Sequence, residues 1–151
     1  MGEVRRATAT WSGDLLSGSG TVSAYTTGLF SDLPISWGSR TEAPEGRTSP
    51  EELLAAAHAA CYSMAFSNVL AKAGTPPEHL HTAAEVSFDQ VGDGWSVTRS
   101  ALQVIGRVRG CTVADFERMA EEAKGGCPIS RALKGNVELS VDATLEEPEE
   151  G

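Results

Sequence analysis

Residues 49–74, SPEELLAAAHAACYSMAFSNVLAKAG, decide how the rest of the chain is read. Ser49 stands as an N-cap, Pro50 takes the first helical position and Glu52 follows three residues after the serine, a capping box. Gly74, with Pro76 and Pro77 beyond it, stops the run, so the spacing predicts one helix from about residue 50 to Ala73. Leu53, Leu54, Ala57, Ala60, Cys61, Met64, Ala65, Val69 and Leu70 leave little polar surface. A helix apolar nearly all round is a central, buried one. At 1.5 Å per residue it spans roughly 36 Å.

Upstream, EVRRATATW and TVSAY are Thr-, Val- and Ala-rich and flank the turn-like SGDLLSGSG, which reads as paired strands. LPISW predicts a third short strand, with Pro34 favouring an edge. GSRTEAPEGRT reads as a polar loop carrying Arg40 and Arg47. Downstream, TAAEVSFDQV and WSVTRSALQVIGRVR flank Gly92, Asp93 and Gly94, a β-hairpin. A second helix starts after Thr112, with Asp115 in its capping box, and ends at Gly125. A short helix opens at Pro128, and NVELSVDATL alternates as a half-buried strand. This order predicts an α+β fold of one domain over residues 1–145, with 146–151 as an acidic disordered tail.

Composition narrows the function. Twelve Lys and Arg against 21 Asp and Glu give a net charge of −9. Nucleic acid is therefore not an expected partner, because phosphate binding needs a clustered basic surface. No uninterrupted apolar run of about 18 residues and no secretory pattern are read, so the expectation is a cytoplasmic protein with no membrane role. There, three cysteines point to reactive or buried thiols rather than a structural disulfide framework.

Cys61 lies about eleven residues into the long helix, beyond the reach of its dipole. An ordinary thiol is only roughly 3% ionised at pH 7, and burial lowers that further. A reactive Cys61 therefore needs a cation from elsewhere in the fold; otherwise it is a small buried hydrophobe. Cys127, in GGCPIS, sits just before Pro128 at a helix start, where N–H groups favour an anion, and is the more acidic thiol on local grounds. Cys111 has no such setting and reads as structural. His58 shares a helix face with Cys61 and has three readings: a support for Cys61, half of a metal site, or a hydrogen-bonded core histidine. The metal reading joins His58, Cys61 and Cys127, with Cys111 or His81 as a fourth ligand, but the chain has no paired-ligand spacing. Glu51 lies about 15 Å before Cys61 along the helix and faces about 80° away, so it cannot reach its own Cys61. Either it stabilises the helix dipole, or a second chain brings it to the thiol.

SPEELLAAAHAACYSMAFS and GGCPISRALK, with the early Trp11-Ser12-Gly13-Asp14, resemble the OsmC branch of the OsmC/Ohr family of osmotically inducible and organic hydroperoxide resistance proteins. The resemblance covers nearly the whole chain. It implies an intertwined homodimer, with antiparallel sheets wrapped around two long central helices and active sites at the subunit interface. It also implies a thiol peroxidase of oxidative and osmotic stress defence, reducing organic hydroperoxides and, less well, hydrogen peroxide. Cys61 is then the peroxidatic thiolate and Cys127 the resolving thiol; Arg40 is the activating guanidinium and Glu51 the carboxylate that positions it. No cofactor or metal is implied, only an external dithiol or lipoyl-type reductant. The apolar Met64 and Phe66 lead us to expect alkyl hydroperoxides as substrates. The rival readings are a non-enzymatic metal or small-molecule binding protein using His58, Cys61 and Cys127, and an acyl-transfer enzyme using a Cys–His pair.

Overall fold

The computed structural model describes residues 2–147. Residues 148–151, most of the expected acidic tail, lie outside the described residues, whereas Glu146 hydrogen-bonds through its N–H to the Gly106 carbonyl and pairs with Arg107. By its contacts the chain divides into two compact units between Leu53 and Leu54.

The first unit is a three-stranded antiparallel sheet of β1 (Ala7–Ser12), β2 (Ser19–Ala24) and β3 (Leu33–Ile35) in the order β1-β2-β3. Pro34 does sit on an edge strand. The segment read as a polar loop contains a one-turn helix, α1 (Gly38–Thr41). Helix propensity gives no warning of it, because the side chains of Ser36 and Ser39 cap each other's N–H groups and Ser39 also bonds the Thr48 carbonyl. β1 is exposed along its whole length, and Glu51 is the one buried residue among those described in this unit.

The long helix, α2 (Pro50–Lys72), keeps its predicted limits. Ser49 Oγ accepts the Glu52 N–H at 3.1 Å, while the Glu52 carboxylate takes the Thr48 hydroxyl at 2.6 Å. Half of the capping box is thus built. Gly74 ends the helix at φ +88°, a left-handed position suited to glycine. Among the described residues α2 is long and apolar enough to cross a membrane, with a mean hydropathy of 1.3. This differs from the sequence expectation, since averaging tolerates the polar interruptions that break an unbroken run. In the second unit, however, His58, Tyr62, Phe66 and Leu70 form a fully buried stripe every fourth residue. Met64, on another face, is 71% exposed.

That stripe meets a second sheet, ordered β4-β5-β6: β4 (His79–Val91), β5 (Gly94–Arg107) and β6 (Glu138–Leu145). β4 and β5 form the predicted hairpin, with Gly92 at φ +63° in a two-residue turn. Alternate residues of β5 point inward, so Ser100, Leu102 and Val104 are buried. The antiparallel pairing expected of the sheets fails at one join: β5 and β6 run parallel. The cause is the crossover through α3 (Val113–Gly126) and α4 (Pro128–Leu133), which brings the chain back in the same direction. α3 contributes Phe116, Met119, Ala120 and Ala123 to the core; the Phe66 and Phe116 rings lie 4.9 Å apart and Tyr62 donates to the Ala120 carbonyl at 2.9 Å.

Candidate active site

Cys61 stands on α2 one residue before Tyr62 of the buried stripe and is partly exposed, while Cys127 is fully buried. Cys127 both ends α3 and starts α4. Its N–H donates to the Ala123 carbonyl at 2.8 Å, and its own carbonyl accepts the Arg131 N–H at 2.9 Å. Pro128 at the first helical position fixes the turn. This joint brings the two sulfurs to 3.3 Å, within hydrogen-bond reach, with all three cysteines reduced.

The two thiols are made unequal. Burial is the largest influence on Cys61 and raises its pKa; the Ile129 N–H pulls it down, and Cys127 adds to the rise. At Cys127 burial also acts upward and is the largest single influence. The Ser130 N–H and hydroxyl, the Cys61 thiol and the Ile129 N–H together outweigh it, and the Cys127 pKa falls below the ordinary thiol value. No strict cap hydrogen bond is made by the sulfur, so these donors act as nearby partial positive charge at a helix start. Cys111 is elsewhere, beside the Thr112 carbonyl, with its pKa raised by burial and by Asp115.

His58 is fully buried one turn before Cys61. Its Nδ1 lies 2.6 Å from Ser100 Oγ and its Nε2 2.8 Å from Ser130 Oγ, and both serines are buried. Of the three readings open to it, the hydrogen-bonded core histidine is the one built. Burial lowers its pKa and keeps the ring neutral. Both ring nitrogens are engaged by hydroxyls rather than turned with the cysteines toward a common point. Among the described residues no group of three or more His, Cys, Asp and Glu side chains could hold a metal ion. His81, the other proposed ligand, is exposed on β4.

In the first unit, Arg40 on α1 grips Glu51 in the first turn of α2. Nε lies 2.8 Å from one carboxylate oxygen and Nη2 2.9 Å from the other, a two-pronged pair around a buried acid. The guanidinium also stands over the Trp37 ring at 5.6 Å. Both Glu51 oxygens are met by Arg40, while Arg47 is exposed. The structure thus joins Cys61 with Cys127 in one unit and Arg40 with Glu51 in the other.

Sequence reasoning missed Ser100 and Ser130. A signal existed for Ser100, which falls in register with the inward Leu102 and Val104, as His58 does with Tyr62 and Phe66. Phe66 was expected near the thiol, but it lies within the core against Phe116.

Residues 43–142 match the family described as OsmC-like protein. The chain belongs to the OsmC family. It is 41% identical to the peroxiredoxin OsmC of Escherichia coli over 135 residues, 89% of this chain and 93% of that one. It is 30% identical to the organic hydroperoxide resistance protein OhrA of Bacillus subtilis over 68% of this chain and 72% of that one. The OsmC fold is seen again in the crystal structure of OhrB of Bacillus subtilis, with a TM-score of 0.69 and 22% identity over 92% of this chain and 98% of that one.

Proposed function

We propose that this OsmC-family chain is a cysteine peroxidase that reduces organic hydroperoxides to alcohols, with hydrogen peroxide the poorer substrate. The observation that carries this reading is the Cys61–Cys127 pair, two reduced sulfurs at 3.3 Å in a helix-start setting. Relatives named peroxiredoxin OsmC and organic hydroperoxide resistance protein support it.

In the proposed cycle the Cys61 thiolate attacks one peroxide oxygen. The O–O bond breaks, the alkoxide leaves and takes a proton to become the alcohol, and Cys61 becomes a sulfenic acid. Cys127 then condenses with it to a disulfide, which protects Cys61 from further oxidation. An external dithiol, free or lipoyl-type, returns both thiols, as a reducing cytoplasm would allow.

Cys61 within its own unit has a raised pKa, so the thiolate needs a cation. Arg40, held in place by Glu51, is the proposed source. Glu51 cannot reach Cys61 along a straight helix, because ten residues set them about 15 Å apart. The proposed assembly is therefore a homodimer in which each chain's Arg40 and Glu51 serve the other chain's Cys61. Support comes from the first unit, whose β1 is wholly exposed and carries the exposed Trp11, and from the exposed Met64 on α2, surfaces open to a second copy.

The test is consumption of cumene hydroperoxide by the purified protein with dithiothreitol. Wild type should turn over, and Cys61→Ser should lose at least about a thousandfold of that rate, as when an enzyme loses its nucleophile. Undiminished turnover in Cys61→Ser, or tightly bound stoichiometric zinc in the purified protein, would reject the peroxidase.

A further inference from the structure

The buried stripe of α2 changes character along its length. Phe66 and Leu70 are wholly apolar, while His58 and Tyr62, the two members that flank Cys61 along the chain, carry polar tips at 0% exposure. Packing does not ask for those tips. The Tyr62 ring sits 5.7 Å from that of Phe66, a contact that phenylalanine would make equally well. A buried polar group is kept only with a partner, so the place each tip goes is informative. Tyr62 donates to the Ala120 carbonyl of α3 at 2.9 Å. His58 Nε2 meets the Ser130 hydroxyl of α4 at 2.8 Å, while Ser100 of β5 steadies Nδ1 at 2.6 Å. Ala120 precedes Cys127 and Ser130 follows it, so the two bonds grip the helix joint from both sides.

The grip reaches the sulfur through the backbone. Ala123 lies one turn after Ala120, and its carbonyl accepts the Cys127 N–H at 2.8 Å. On the other side the Cys127 carbonyl accepts the Arg131 N–H at 2.9 Å, in the same turn as Ser130. Ala120 and Ala123 are fully buried and carry only methyl groups, so α3 lies close enough for the phenol to reach its backbone. Cys61 starts from the same stretch of α2, and its sulfur lies 3.3 Å from that of Cys127.

We propose that Tyr62 and His58 are positioning residues for the disulfide step: two buried hydrogen bonds from α2 clamp Cys127 against Cys61. The clamp rests on the peroxidase reading for its role, not for its geometry. In condensation the Cys127 thiolate, its proton already given to solvent, attacks the sulfenic sulfur of Cys61. The S–S bond forms, the S–O bond breaks, and hydroxide leaves and takes a proton to become water. This step is intramolecular, so its rate depends on how narrowly the two sulfurs are held. Oxidation of Cys61 by peroxide is bimolecular and does not depend on Cys127. Loosening either arm slows closure alone and leaves the sulfenic acid open to a second peroxide.

A Cys111→Ser protein treated with dithiobis-nitrobenzoate reads closure without peroxide. The Cys61 thiolate attacks the reagent's disulfide, takes one aryl thiol and expels the other. The Cys127 thiolate then attacks the Cys61 sulfur, forms the S–S bond and expels the second aryl thiolate. The first release speeds up with reagent concentration and the second does not. Tyr62→Phe and His58→Gln should each slow the second release about tenfold, the worth of one buried hydrogen bond, and leave the first unchanged. Leu70→Ala, at the apolar end of the stripe, should destabilise the fold more yet leave both releases at the wild-type rate. The proposal is overturned if Tyr62→Phe leaves the second release unslowed or slows both together. It is equally overturned if Leu70→Ala slows the second release as much, or if wild type gives no second release. A protein inert to hydroperoxides that still showed the split would end the peroxidase reading and leave the clamp in place.

Discussion

The sulfur of Cys127 lies 3.3 Å from that of Cys61, although 66 positions of chain separate the two residues. A disulfide needs about 2.05 Å, so bond formation asks for a movement of little more than 1 Å. Cys127→Ser removes the resolving thiol and should leave Cys61 as a sulfenic acid after one equivalent of hydroperoxide. Mass spectrometry with a sulfenic-acid trap reads this directly. Wild type should instead lose two thiols per chain and spare Cys111; loss of the Cys111 thiol would contradict the pairing.

Arg40→Ala should cost about 3 kcal/mol of stability in urea unfolding, because it leaves the buried Glu51 carboxylate unpaired. Replacing both partners by apolar residues should recover most of that loss, since no buried charge remains. If the single and double variants unfold at the same midpoint, the pair carries no coupling.

Subunit exchange tests where the arginine acts. Glu51→Ala chains and Cys61→Ser chains should each be inactive, and mixing them should restore one working site per hybrid dimer. Mixed samples as inactive as their parents, or a protein that sediments as a monomer, would rule out a shared site.

His58 has a folded-state pKa below its ordinary value of 6.5. As pH falls below that value the unfolded chain takes up the proton first, so the folded state loses stability in acid, by at most about 1.4 kcal/mol per pH unit. Above it the group contributes no pH dependence. Denaturation between pH 7 and pH 5 should show this slope, and His58→Gln should flatten it. A slope that survives the substitution belongs to another group.

Gly106 of β5 has no room for a methyl: a Cβ there would stand 2.7 Å from Phe116 Cζ and 2.9 Å from Leu80 Cδ2. Gly106→Ala should therefore cost about 1–3 kcal/mol. Gly125→Ala, on α3 with nothing within 4 Å of the added carbon, should be neutral or slightly stabilising. Thermal melts that rank the two the other way would refute the packing described.

Local signals in the sequence reached far. Ser49, Pro50 and Gly74 bound α2 correctly because caps act within a turn of the residue that makes them. The GGCP motif placed Cys127 at a helix start for the same reason. Pairing direction was not legible, because a period of two looks the same in parallel and antiparallel ladders, and β6 joined β5 in parallel. The serines around His58 were hidden by distance along the chain, at 42 and 72 positions. A hydrogen bond between such residues leaves no periodic trace; it exists only once β5 and α4 have packed on α2.

One residue, Cys127, is at once the last cap of α3 and the first of α4. Between those helices there is no spare chain to absorb a change in length. A one-residue insertion that the exposed Leu15–Leu16 turn would shrug off would here rotate α4 by about 100°. The sulfur, the Ile129 amide and the Ser130 hydroxyl would then all swing out of line together. At this joint spacing matters as much as chemistry, and a chain with every side chain right but one residue too many would hold its thiols apart.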